Sequence, residues 1–164
     1  MATISKPTKE QWDDVKLNLR LPYSNVYFLI DGYKVAASVQ QHKMRLVITV
    51  YVNGYIRGND LWHGQENEID QMPEIARRFY ALRRKAMYSA KQVRADERIF
   101  GKRDCKKRGI YDKYLFVSPH FSTAGAFIAH IKKHNQSIEI IDYEAYKKAM
   151  EPLQRDAAPE VASV

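Results

Sequence analysis

The sequence predicts an α+β protein: an N-terminal antiparallel β-meander of about four strands with helices packed on it, then a C-terminal β-α-β-α segment. Two observations lead to this prediction. Short β-rich runs are joined by Asp31-Gly32 and Asn53-Gly54, which are strong two-residue hairpin turns. Elsewhere, apolar residues recur at helical spacing behind residues that cap helix N-termini.

The first elements are one helix and the meander. Thr8 and Gln11 have capping-box spacing, which predicts a helix that begins there and ends before Pro22. The strands are expected at 25–30, 33–41, 44–52 and, as a short fourth strand, 55–58. The run 44–52 has apolar residues on both faces of the strand, so we expect it to be the central strand, covered on both faces.

A polar loop over 59–70 precedes a predicted helix that begins at Pro73, since proline suits the first helical position. Its core stripe is Ile75, Phe79, Leu82 and Ala86. Its exposed side is Arg77, Tyr80, Arg84, Tyr88 and Lys91. The stripe follows from the helical spacing of the apolar residues.

The next elements alternate helices and strands. Ser89 and Gln92 predict the start of a second helix, which Gly101 ends, and a basic turn is expected over 102–108. Later elements are a strand at 114–117, a helix from Ser122 or Thr123 to His134 with Phe127, Ile128 and Ile131 inward, a strand at 137–141 and a helix at 143–150. The C-terminal strands either extend the meander or form their own small sheet.

The length of 164 residues suits one compact domain, placed at 1–153, and the small polar stretch 154–164 predicts a disordered tail. The N-terminus lacks the apolar run of a signal peptide, and no run is long enough to span a membrane. The single cysteine, Cys105, precludes an internal disulfide and fits a reducing compartment. We expect a cytoplasmic protein without a membrane partner, and nothing in the sequence specifies an oligomeric state.

Positive charge is concentrated between Arg77 and Arg108. This segment has thirteen Lys and Arg residues against three acids, a net charge of +10, whereas the whole chain is +8, so the remainder sums to −2. A solvated face normally mixes both signs, and a concentrated positive field attracts polyanions. The segment therefore predicts contact with nucleic acid or a nucleoprotein complex. An acidic protein surface is the alternative partner.

The candidate binding residues of this segment are cations and two tyrosines. They are Arg77, Arg78, Tyr80, Arg84, Lys85, Tyr88, Lys91, Arg94, Arg98, Lys102, Arg103, Lys106, Lys107 and Arg108. The cations can neutralise phosphates, and Tyr80 and Tyr88 can stack on unpaired bases. The sequence contains no zinc-finger spacing and no RNA-recognition signature of the glycine-aromatic type.

No catalytic residues, metal ligands or cofactor are predicted. His130 and His134 could share a helix face, but the lysines between them oppose a cation. Cys105 lies among cations that we expect to lower its pKa and make the thiol reactive. Trp62 is a candidate anchor for a protein partner, with packing under its own loop as the alternative.

Five runs of the chain carry a resemblance to a known group. They are Leu46 to Gly54 (LVITVYVNG), Arg77 to Tyr80 (RRFY) with Tyr88 to Lys91 (YSAK), Phe100 to Arg103 (FGKR) and His134 to Glu139 (HNQSIE). In this order, over residues 8 to 141, they resemble small uncharacterised proteins of tailed bacteriophage and prophage genomes. The resemblance implies action in the host cytoplasm on a nucleoprotein system, of the host-interaction or anti-defence type. It implies no catalytic residues.

These observations together predict a function. We expect a small, basic, non-catalytic phage-type protein that binds nucleic acid or a host nucleoprotein complex through a basic helical surface. The alternative is a protein-binding inhibitor of a host defence enzyme such as a CRISPR effector, without nucleic-acid contact. A metal-dependent nuclease is a remote alternative, because such enzymes need clustered carboxylates.

Overall fold

A computed structural model describes residues 4–157 of the chain. Its helices are α1 (Lys9–Asn18), α2 (Glu74–Phe79), α3 (Ala90–Lys107), α4 (Ala124–His134) and α5 (Tyr143–Ala157). Its strands are β1 (Asn25–Ile30), β2 (Tyr33–His42), β3 (Arg45–Val52), β4 (His63–Gly64), β5 (Ala81–Ala86), β6 (Lys113–Ser118), β7 (His120–Phe121) and β8 (Ile138–Ile141). Both sheets are antiparallel, and the predicted α+β class is confirmed.

The meander forms as the two turn signals predict. The first turn has φ values of 46° at Asp31 and 87° at Gly32, and the second has 52° at Asn53 and 83° at Gly54. Positive φ at both central residues is what a two-residue type I′ turn requires, and it matches the twist of the flanking strands. β7 and β8 then extend the meander at its two edges, in the order β7-β3-β2-β1-β8.

Two details of the meander were predicted wrongly. The central strand is β2, and β3 has only the two residues of β7 on its outer side. The fourth strand does not form over 55–58: Tyr55 makes one bridge to Val52, and a 3₁₀ turn begins at Gly58. The Tyr55 amide donates to the Val52 carbonyl, so Tyr55 only closes the turn.

The hydrophobic core lies between the five-stranded sheet and the helices α1 and α4. Val26, Phe28 and Ile30 of β1 are buried on this side. The Phe28 ring centroid lies 6.2 Å from that of Trp12 in α1 and 5.9 Å from that of Phe127 in α4. The predicted Thr8 capping box and the predicted inward residues of α4 are both confirmed. The sheet thus holds α4 in a fixed position.

Helix α5 covers the opposite face of the sheet. Tyr27 points to this side, and its ring centroid lies 5.5 Å from that of Tyr143 and 4.7 Å from that of Tyr146. The helix continues to Ala157, four residues into the stretch predicted to be a tail, and the remaining tail residues, 158–164, lie outside the described residues. No helix within residues 4–157 is long and apolar enough to cross a membrane.

The predicted long helix after Pro73 is wrong beyond its first turns. α2 ends at Phe79, and Tyr80 is extended, with ψ of 147°. Residues 81–86 then pair one by one with β6, so β5 is an edge strand of a second sheet of order β4-β6-β5. The predicted core residues Leu82 and Ala86 are consequently exposed. Helix propensity in this run is overridden by a strand partner far away in sequence.

Of the two alternatives left open for the C-terminal strands, extension of the meander holds for β7 and β8, whereas the C-terminal strands form no sheet of their own because β6 pairs with β4 and β5. β8 joins the meander beside β1, whereas β6 belongs to the small sheet. In α3, Ser89 caps the N-terminus as predicted, with its Oγ accepting from the Gln92 amide at 3.3 Å. Gly101 interrupts the helix, with φ of 75° and ψ of 158°. The expected basic turn after Gly101 is instead helical through Lys107.

Candidate nucleic-acid interface

The fold places the basic segment on a strand and a projecting helix. α3 is inserted between β5 and β6, which are antiparallel neighbours, so it leaves and returns at the same end of that strand pair. The Met87 amide donates to the Asp112 carbonyl at 3.1 Å and closes the base of this insertion. Within the described residues, Cys105 is the one buried residue of α3. Its other side chains are therefore available for contact.

The first half of α3 presents a basic face. Lys91, Arg94 and Arg98 are all exposed, at a spacing that places them on one side of the helix. Val93 lies on the other side and is half-buried. None of the three cations forms an ion pair within the described residues. This face therefore presents uncompensated positive charge.

The second half of α3 continues the positive charge beyond Gly101. Its exposed cations are Lys102, Arg103, Lys106, Lys107 and, at the C-cap, Arg108. The Arg108 guanidinium lies 3.9 Å from the centroid of the Phe100 ring. This cation–π contact links the two halves of the helix across the glycine.

The acids of α3 lie close to its buried thiol. Burial first, and then the charges of Asp96 and Glu97, raise the pKa of Cys105. The expectation that neighbouring cations lower this pKa is therefore wrong, because burial and the charges of these acids outweigh the opposing charge of Arg108. Glu97 also accepts a hydrogen bond from the Tyr111 hydroxyl. Burial and the raised pKa both disfavour reactivity of the Cys105 thiol.

The cations of β5 point to opposite faces of the small sheet. Arg84 shares a face with buried Leu115, and its guanidinium lies 3.1 Å from the Glu66 carboxylate. Lys85 and Arg83 lie on the other face, exposed and without an ion pair in the described chain. Alternation along the strand explains this division. Arg84 is thus partly neutralised, whereas Lys85 remains free to bind.

Two of the candidate residues have structural roles. The Arg78 guanidinium lies 2.8 Å from both Asp31 and Glu74, so it holds α2 against the first hairpin. Tyr80 is 1% exposed, so its predicted position on an exposed face is wrong and it cannot stack on bases. Arg77 of α2 is exposed, and Tyr88, between β5 and α3, is half-buried.

Asp31 links Arg78 and α2 to the start of β8. Burial alone would raise the pKa of Asp31, but hydrogen bonds from the Ser137 and Gln136 amides, together with the Arg78 charge, outweigh burial and lower it. The amide nitrogens lie 2.8 Å and 3.0 Å from the carboxylate oxygens. The ionised carboxylate therefore joins the hairpin, α2 and β8.

An aromatic pair on β6 was missed by the sequence analysis. Phe116 lies opposite Arg83, and Tyr114 lies opposite Lys85, so all four share the face that Leu115 does not. Both aromatic rings are half-buried, with centroids 5.9 Å apart. The alternation of Tyr114 and Phe116 with the buried Leu115 and Val117 could have revealed this face. Aromatic rings beside cations are suited to stack on unpaired bases.

The remaining candidates form no further site. Trp62 is half-buried against the core, and its indole lies where a Cβ on Gly64 would be, so it packs beneath its own loop. The rings of His130 and His134 lie 4.4 Å apart, on one face of α4. Across residues 4–157, no group of three or more His, Cys, Asp or Glu residues could hold a metal ion.

Comparisons with known proteins add no assignment. The chain matches no protein-family model, no curated protein and no solved structure. Chemically, the arrangement offers a projecting helix rich in free cations beside an open strand face with two aromatic rings. Such a surface can bind phosphates and bases.

Proposed function

We propose that this protein is a non-catalytic, phage-type accessory protein that binds nucleic acid, alone or within a host nucleoprotein complex, through α3 and the open face of β5 and β6. Its place of action would be the host cytoplasm. The observation that supports the proposal most is the row of exposed α3 cations that lack ion-pair partners in the described chain.

The proposal predicts how steeply the binding affinity falls with salt concentration. Phosphate contacts release counterions, so affinity falls with salt by a factor set by the number of contacts. If about five of the cations of α3 contact duplex phosphates together, affinity should fall roughly 500-fold between about 50 and 200 mM salt. A surface that only keeps the protein soluble would show no such dependence.

The face of β5 and β6 adds a preference for unpaired strands. Base stacking on an aromatic side chain is worth about 1–3 kcal/mol per base and tolerates any sequence. Tyr114 and Phe116 lie beside Arg83 and Lys85, so stacking and phosphate contact would occur on one surface. We therefore expect tighter binding to single strands than to duplexes.

A protein-binding inhibitor of a host defence enzyme, such as a CRISPR effector, is the second candidate. Ile99 of α3 is 71% exposed among the cations, and Met87 at the base of the helix is 50% exposed. Apolar side chains within a basic surface suit an acidic protein partner with an apolar centre. In that case the same helix would bind protein without nucleic acid.

Fluorescence-anisotropy titration distinguishes these candidates. Short labelled single- and double-stranded DNA and RNA would be titrated across a salt series with the wild type and with Lys91→Glu/Arg94→Glu/Arg98→Glu. The matched control is Lys16→Glu/Lys147→Glu/Lys148→Glu, which makes the same change of charge at exposed positions of α1 and α5.

Salt-steep binding that is lost in the α3 variant and kept in the control would support the proposal. Equal loss in both variants would mean that only net charge matters and would refute a specific surface. Absence of binding to every probe at low salt would reject nucleic-acid recognition and favour the protein-binding candidate.

A further inference from the structure

A cavity of about 580 Å³ lies beside the small sheet. It is open to solvent and is lined by α2, α4 and the start of β5, together with β7 and the loop before α2. Part of its lining is apolar, with Met72, Ala76 and Phe121 as buried members. Small-molecule sites fall in the range of about 300–1,000 Å³ and are mostly apolar with a few polar groups.

The remaining lining is strongly cationic. Arg77, Arg83 and Lys133 come from three different elements, and Asp70 is the only acid among the lining residues described. None of the three cations forms an ion pair within residues 4–157. The Arg83 guanidinium donates to the His120 carbonyl at 3.1 Å, so its position is fixed. Cations brought together without partners create a local field that favours a dianion.

Two buried polar atoms of this lining lack protein partners. The Tyr80 hydroxyl and the His130 Nε2 are both buried, and neither makes a hydrogen bond to a described residue. Both atoms have almost no accessible surface, so they lie behind the cavity wall and are not among the groups that would contact a ligand. Burial, and then the charge of Asp60, raises the pKa of Tyr80 to about 12.

We propose that this cavity binds a phosphate monoester carried on a flat, largely apolar group, the chemistry of a nucleoside monophosphate. The three cations would neutralise the phosphate. The apolar part of the lining would pack against the base. This assignment uses no residue of α3 and shares only Arg83 with the proposed face of β5 and β6, so it can be tested separately from the helix surface.

The same chemistry can come from two sources. A free nucleotide would bind the cavity as a small ligand, whereas a nucleic-acid strand would offer it at a phosphorylated 5′ end. Only the second source would link the cavity to the proposed nucleic-acid surface. Separate probes in one set of titrations distinguish them.

The experiment is isothermal titration calorimetry of the full chain with AMP and with CMP. Adenosine and inorganic phosphate are titrated separately for comparison. We expect saturable binding of at least one nucleotide, and binding of adenosine and of phosphate weaker by about tenfold or more, because each probe retains only half of the contacts. Failure of both nucleotides to bind would overturn the proposal.

Three variants locate the site. Lys133→Glu should weaken nucleotide binding about tenfold or more, whereas Lys132→Glu, the neighbouring exposed lysine of α4 that does not line the cavity, should not. Arg77→Glu, which reverses a second lining cation, should also weaken binding about tenfold or more. Unchanged affinity in both cavity variants would overturn the assignment.

Two further titrations identify the source of the ligand. A 5′-phosphorylated oligonucleotide that binds the wild type more tightly than its 5′-hydroxyl counterpart, with the advantage lost in Lys133→Glu, would assign the cavity to strand ends. Equal binding of the two oligonucleotides, together with nucleotide binding, would assign it to free nucleotides. The α3 charge-reversal variant should keep its AMP affinity even if its oligonucleotide binding is lost, so the two proposals fail separately.

Discussion

Arg78 acts in the fold rather than in binding, although it lies in the most basic part of the sequence. Its guanidinium joins Asp31 and Glu74, and Asp31 in turn accepts the amides at the start of β8. Exposed ion pairs contribute little, but a half-buried network shared by three elements contributes more. Its partner Asp31 is distant in sequence, so residue-level reasoning could not separate Arg78 from the free cations.

We expect Arg78→Ala to lower the free energy of unfolding by about 1–3 kcal/mol, because it leaves the Asp31 carboxylate without its cation. Arg77→Ala, which removes an exposed neighbour without an ion pair, should change it by less than about 0.5 kcal/mol. Urea denaturation followed by circular dichroism measures both. Equal midpoints for the two variants would show that the network contributes no stability.

His130 makes the fold sensitive to acid. Burial, followed by the charges of His134 and Lys133, lowers the pKa of His130 to about 4, against about 6.5 for an unfolded histidine. Between these values the unfolded state binds more protons, so stability should fall as the pH falls from about 6.5 towards 4. The loss attributable to this residue is at most about 2 kcal/mol at about pH 5.

The measurement is urea denaturation at a series of pH values, for the wild type and for His130→Gln. The glutamine variant should lose less stability on acidification, since it does not titrate. NMR titration of the histidine ring protons should place His130 near pH 4. A midpoint near pH 6.5 for this residue would refute the argument.

At the scale of elements, local signals predicted the structure well where the partner was adjacent in sequence. The two Asx-Gly turns defined β1 to β3, and capping residues defined the starts of α1, α3 and α4. The failure came at β5, whose residues Ala81 to Ala86 are mostly good helix formers. Its strand conformation depends on β6, which the chain reaches only after α3.

A substitution at Gly101 tests whether the break in α3 depends on the backbone conformation of this residue. Its φ of 75° with ψ of 158° is a conformation that only glycine adopts readily, and nothing lies within 4 Å of a Cβ built there. Gly101→Ala should therefore lower stability by about 1–3 kcal/mol through backbone strain alone. Any change in the Arg108–Phe100 contact would add to this loss.

Gly125 of α4 is the matched control, because a Cβ there also meets nothing within 4 Å but the backbone is helical. Gly125→Ala should raise stability by about 0.5–1 kcal/mol. Thermal unfolding measured by circular dichroism compares the two. Changes in the same direction would contradict the assignment of the break to Gly101 backbone conformation.

At the scale of the whole molecule, positive charge is concentrated in the segment 77–108, which covers part of α2, β5 and α3, and the rest of the chain has a net charge of −2. This division was evident from the sequence, since the segment 77–108 exceeds the charge of the complete chain. Which cations are free was not evident, because the ion pairs of Arg78 and Arg84 join residues distant in sequence. The burial of Tyr80 and the aromatic face of β6 likewise depend on the tertiary fold.

Tyr114 separates stacking from electrostatic attraction. If the face of β5 and β6 receives bases, Tyr114→Leu should weaken binding to single strands by about fivefold to 100-fold and leave its salt dependence unchanged. Duplex binding, which offers no unstacked base, should be unaffected. The α3 charge-reversal variant should instead weaken binding to both probes and flatten the salt dependence.

Tyr55→Leu is the control for the loss of a surface aromatic ring, because Tyr55 is 54% exposed and lies away from this face. Equal losses in single-strand and duplex affinity for Tyr114→Leu would mean that the ring supports the fold of the small sheet and does not contact bases.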